Sequence, residues 1–144
     1  MLVNIQAQTL TRPDVHDFPL NMTIRSKLSK FNITPLNIAQ PELNNITKWK
    51  VVINSISENA TRTKGTNKLT LEDIKISGGM PKHAHGLPTT PMVTKLTNLS
   101  DGAIEIEISG LKFHMWGHWF IGVSIPKLSD KAELHFNLSP KNNL

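Results

Sequence analysis

The run AIEIEIS, residues 103–109, alternates isoleucine with a polar residue for three periods. Side chains of an extended chain point to opposite faces in turn, so Ile104, Ile106 and Ile108 share one face and Glu105 and Glu107 the other. A helix would throw Ile106 to the side opposite Ile104 and Ile108. The same period recurs in KWKVVIN, with Trp49, Val51 and Ile53 on one side, and in WFIGVSI, with Trp119, Ile121, Val123 and Ile125. In KAELHFNL, residues Ala132, Leu134, Phe136 and Leu138 alternate with Glu133, His135 and Asn137. Each pattern is that of a half-buried strand.

Shorter candidate strands lie near 22–24, 28–33, 72–76 and 92–96. Turn-forming clusters separate the runs at TKGTNK (63–68), NLSDG (98–102) and IPKLSD (125–130). Seven or eight short strands without an amphipathic helix predict an all-β, antiparallel β-sandwich, with a small Greek-key barrel as the alternative. The expected core is Trp49, Val51, Ile53, Ile104, Ile106, Ile108, Trp119, Ile121, Leu134 and Phe136. Residues 1–21, with Pro13 and Pro19 and no sustained period, read as an N-terminal tail or extension, and 22–144 as one domain. A chain of 144 residues is long enough to bury about 70% of its unfolded surface around a single core.

Charge narrows the choice of partner. The formal charge is +5, but residues 1–70 hold nine Lys/Arg against four Asp/Glu, while residues 71–144 hold seven of each. Only Arg12, Arg25 and Arg62 are arginines, and the aromatic residues are not interleaved with the lysines, so a nucleic-acid groove is not expected. No apolar run reaches the roughly 18 residues of a transmembrane helix. The first residues, MLVNIQAQTLTRP, do not form an export signal. Six Asn-x-Ser/Thr triplets, at Asn21, Asn32, Asn45, Asn59, Asn98 and Asn137, are what a chain rich in those residues makes by chance.

Chemistry concentrates in two segments. Cysteine is absent, which removes thiolate metal sites and thiol nucleophiles. Five of six histidines, His83, His85, His114, His118 and His135, lie between residues 80 and 135, together with Met80, Met92 and Met115. The first segment, GGMPKHAHGLPTTPM (78–92), is dense in proline and glycine and reads as a loop outside the sheet. The second, FHMWGHW (113–119), reads as a strand in which Met115 shares the apolar parity of Phe113 and Trp119. Imidazole with thioether is the ligand pair that suits copper, thioether favouring the cuprous ion. The candidate metal ligands are therefore His83, His85, His114, Met80 and Met115, gathered between loop and strand. For His114 and Met115 to serve one ion the strand must bulge, which Gly117 permits.

Each residue also has a plainer use. The methionines can be core filler, and the loop imidazoles can be bonded to backbone. Trp116 and His118, on the outer parity, can anchor a protein partner. An enzyme is not expected: no nucleophile elbow is present, Glu105 and Glu107 form a solvated strand face, and Gly78-Gly79 does not lead into a phosphate-binding helix.

The two segments together, GGMPKHAHGLPTTPMVT and GLKFHMWGHW, resemble the YtkA-like domain family, related to the FixH-like proteins, whose pattern runs MPxHxHGxPTxPxV and then F-x-M-x-G-x-W. The resemblance spans roughly residues 22–140 and falls on Met80, Pro81, His83, His85, Gly86, Pro88, Thr89, Pro91, Phe113, Met115, Gly117 and Trp119. Lys82 and Trp116 depart from the residues most frequent in that pattern. The resemblance implies an immunoglobulin-like sandwich of the bacterial envelope, periplasmic or extracytoplasmic. Some members lie beside copper-handling or cytochrome-oxidase assembly genes, which implies copper as the cofactor and an envelope protein as the partner.

Overall fold

The structure, a computed structural model, describes residues 22–56 and 69–140. The expected N-terminal tail at 1–21, the turn at 63–68 and the triplets at Asn21 and Asn59 lie outside the described residues. The described chain forms two antiparallel sheets. In chain order the strands are β1 (Ile24–Arg25), β2 (Phe31–Pro35), β3 (Thr47–Ser55), β4 (Lys75–Met80), β5 (His85–Gly86), β6 (Met92–Asn98), β7 (Ile104–Leu111), β8 (Gly117–Ile125) and β9 (Asp130–Leu138). One sheet has the order β1-β2-β3-β7-β6 and the other β5-β4-β8-β9. The sandwich is thus the expected one, with nine described strands because β1 and β5 are two-residue edge pieces too short to carry a period. Among the described residues two 3-10 turns lie between strands, at Leu71–Asp73 and Pro126–Leu128. No helix among the described residues is long and apolar enough to cross a membrane.

All ten expected core residues are buried. On β9 the alternation is complete: each odd-parity residue that sequence sends outward is partly exposed, and each even one is buried. The middle of the core is aromatic. Phe113 meets Trp49, Trp119 and Phe136 at ring-centroid separations of 5.9, 5.2 and 5.3 Å. Such pairs contribute about 0.5–1.5 kcal/mol each beyond the apolar area they bury, which makes Phe113 the joint between the sheets.

The two sheets are joined at one end by two short links. Residues 87–91 carry the chain from β5 to β6, and 112–116 carry it from β7 to β8. Both links are clamped. The Thr89 hydroxyl donates to the Gly110 carbonyl at 2.5 Å, the Asn44 N–H donates to the Phe113 carbonyl at 2.9 Å, and the Trp119 indole N–H donates to the Met115 carbonyl at 2.9 Å.

At the opposite end a buried carboxylate ties the sheets. Asp130 accepts from the Ser26 hydroxyl at 2.5 Å and from the N–H groups of Leu28, Lys30 and Lys131 at 2.8, 3.1 and 2.8 Å. Burial alone would raise its pKa, but these donors outweigh it and hold the carboxyl below its ordinary value. The β1–β2 turn is thereby bolted to β9.

Candidate metal centre

The segment read as a loop outside the sheet is partly in it. Gly78 and Gly79 belong to β4, with Gly79 opposite Phe120 of β8 and Gly86 of β5, and Met80 opposite His85. The glycines serve close approach rather than flexibility: a Cβ on Gly79 would collide with the His85 carbonyl oxygen. Pro81–Ala84 form the turn between β4 and β5, closed by the His83 N–H donating to the Met80 carbonyl at 3.1 Å and by Ala84 in the left-handed region at φ 55°. His83 on this turn and His85 just after it, at the start of β5, are both exposed, with ring centroids 6.1 Å apart.

The segment read as one strand is a link followed by a strand. Residues 112–116 are irregular and β8 begins at Gly117, whose φ of 131° breaks the alternation. Parity therefore fails for Met115, which is 37% exposed instead of joining the apolar face of Phe113 and Trp119. The same break turns His114 toward the hairpin. Its ring lies 6.3 Å from His85 and 5.6 Å, edge-on, from Trp119. His114 Nδ1 is buried and has no hydrogen-bond partner among the described residues. Met80 is in the core, 2% exposed, with its terminal methyl 2.8 Å from where a Cβ on Gly117 would stand. Gly117 thus makes room for the methionine, and the residue lies between the hairpin and the 112–116 link.

His83, His85 and His114 form a row rather than a triad. A nitrogen about 2 Å from an ion sets its ring centroid about 3 Å away, so two rings on one ion lie at most about 6 Å apart, and about 5 Å apart at a tetrahedral angle. Separations of 6.1 and 6.3 Å sit at the outer limit, so the rings must draw closer for all three to hold one ion. Among the described residues no three His, Asp or Glu side chains converge on a single point. The two loop histidines are exposed.

The remaining histidines are arranged differently. His118 Nε2 lies 2.8 Å from His135 Nδ1, and His135 Nε2 lies 3.1 Å from Glu133 Oε1. His118, expected as a docking residue, is half-buried with one ring nitrogen engaged. Burial lowers its pKa, helped by the nearby His135 and Lys82. Phe120 stacks on the His135 ring at 5.8 Å. Trp116, the other expected anchor, is 44% exposed. The pairing was missed because β8 and β9 set it diagonally: His118 is opposite Asn137, and His135 is opposite Phe120. The available signal was parity, since His118, Glu133 and His135 all fall on outward positions of adjacent alternating runs.

No protein-family pattern matches the chain, and no curated protein matches it in sequence.

Proposed function

We propose that this β-sandwich is a non-enzymatic metal-binding module that takes copper between the β4–β5 hairpin and the 112–116 link. His83, His85 and His114 are the imidazole ligands, and Met80 supplies a thioether from below. The observation that carries this reading is the buried Nδ1 of His114, lacking a hydrogen-bond partner among the described residues while a second imidazole stands 6.3 Å away. Buried polar atoms are nearly always satisfied, and a metal ion satisfies a nitrogen lone pair. The buried thioether favours the cuprous over the cupric ion. Met115, exposed on the link, is the weaker thioether candidate. The likeness of the two segments to YtkA-like domains is the ground for an envelope location and for a copper-linked role.

Anaerobic cuprous titration tests the reading. The protein should bind one equivalent that is lost in His83→Ala/His85→Ala and weakened in Met80→Leu, a swap that keeps the core volume. An unchanged titration in the double histidine variant overturns it.

A second reading rests on Trp116, whose 44% exposure next to the same link suits a docking anchor for an envelope protein partner. Capture of a partner that Trp116→Ala abolishes, in protein free of metal, would favour that reading.

A further inference from the structure

We infer that the outer face of the β8–β9 pair carries a second, separate metal site, in which His118 and His135 chelate one divalent late first-row ion and Glu133 orients His135. The two ring nitrogens already face each other, with His118 Nε2 2.8 Å from His135 Nδ1. Glu133, as a carboxylate, only accepts, so the hydrogen between it and His135 belongs to His135 Nε2. Neutral His135 then presents Nδ1 as a lone pair toward His118. That is the tautomer a ligand imidazole needs, and a carboxylate behind the second nitrogen is the usual way of holding it.

Without an ion, His118 Nε2–H donates to His135 Nδ1. With an ion, His118 takes its other neutral tautomer, its single ring hydrogen passing by exchange with solvent from Nε2 to Nδ1, and both facing nitrogens turn lone pairs on the metal. The rings stand 5.0 Å apart between centroids. Two imidazoles on a tetrahedral ion require about 5 Å, with the nitrogens about 3.3 Å apart. The rings need to rock rather than separate. The contrast with the 6.1 and 6.3 Å spacings of the hairpin row is what distinguishes this pair.

The chemical class follows from the surroundings. Two imidazoles with solvent at the remaining positions suit a borderline divalent ion, with Cu2+ the tightest of the first row. The nearby charges are the Glu133 carboxylate, 3.1 Å from His135, and three ammonium groups: Lys82 beside His118, and Lys27 and Lys131, which lie 3.9 and 3.5 Å from Glu133. These ammonium groups repel a bare cation, so the site binds moderately and more tightly at high salt, where they are screened.

Calorimetric Cu2+ titration of the whole chain tests this in the His83→Ala/His85→Ala background, which removes the hairpin ligands and so separates the two sites. One equivalent should persist there, with an electron paramagnetic resonance signal of nitrogen ligation. Adding His135→Ala should abolish both, while adding Glu133→Gln should weaken binding by about tenfold to a hundredfold. Circular dichroism checks that these outward, half-exposed substitutions leave the strands intact. Cu2+ binding that is unchanged by His135→Ala overturns the proposal, as does the absence of any Cu2+ binding in the His83→Ala/His85→Ala protein.

Discussion

The hairpin row and the β8–β9 pair are built from the same residue type and differ in what holds it. His83 stands on the Pro81–Ala84 turn and His85 on the two-residue edge strand that follows it, both exposed, with ring spacing set by one backbone reversal. His118 and His135 stand on paired strands whose register is locked at nine successive positions. In the first case the imidazoles wait for something to draw them together; in the second they already satisfy each other. A turn can deliver ligands to an incoming ion by moving, whereas a sheet can only offer a spacing fixed in advance.

The largest effect on both regions together should come from Phe113→Ala. It removes the ring joining Trp49, Trp119 and Phe136, and should cost about 3–5 kcal/mol in urea denaturation, loosening hairpin and strand pair alike. If one region kept its imidazole resonances while the other lost them, the shared foundation would be disproved.

Asp130→Ala is a control from the far end. It takes the carboxylate acceptor from the Ser26 hydroxyl and the Leu28 and Lys131 N–H groups, while the Lys30 N–H keeps Ser26 Oγ at 3.0 Å, and should cost about 3 kcal/mol with neither histidine group touched. Gly117→Ala should separate the two regions. Its φ of 131° and the Met80 methyl at 2.8 Å penalise any side chain, by about 1–3 kcal/mol, and the damage should fall on Met80 and His114. Histidine NMR shifts should then move for His114 and stay for His135.

Acid should divide the regions more gently. In metal-free protein, His118 has a folded pKa below its ordinary 6.5, so the unfolded state takes up the proton first. Its contribution is complete above 6.5 and is lost as pH falls through the folded value. Asp130 behaves alike in a lower window, complete above its ordinary 3.8 and lost below it. Urea midpoints across pH should therefore fall in two stages. His118→Ala should remove the upper stage and Asp130→Asn should blunt the lower; a single stage in the parent protein would show that the strand pair is not pH-linked. Glu105→Ala, on the partly solvated face of β7, should change stability by less than about 0.5 kcal/mol.

How far the sequence alone reached depended on the range of the interaction. The faces of β3, β7, β8 and β9, and with them the ten core residues, were legible because the period of two is written into each strand separately and burial follows from it. The concentration of imidazoles on residues 80–135 was legible because it is a matter of position along the chain alone. Gly78 and Gly79 were not legible as strand, since their use is the approach of β5 to β4 rather than any pattern of their own. Met115 left its assigned face because one positive φ at Gly117 ends the alternation, and a dihedral does not show in a string of residue types. The bolt at Asp130 and the diagonal His118–His135 contact were decided only in three dimensions. Both depend on which strand lies beside which and in what register, and that is set by packing two whole sheets against one core.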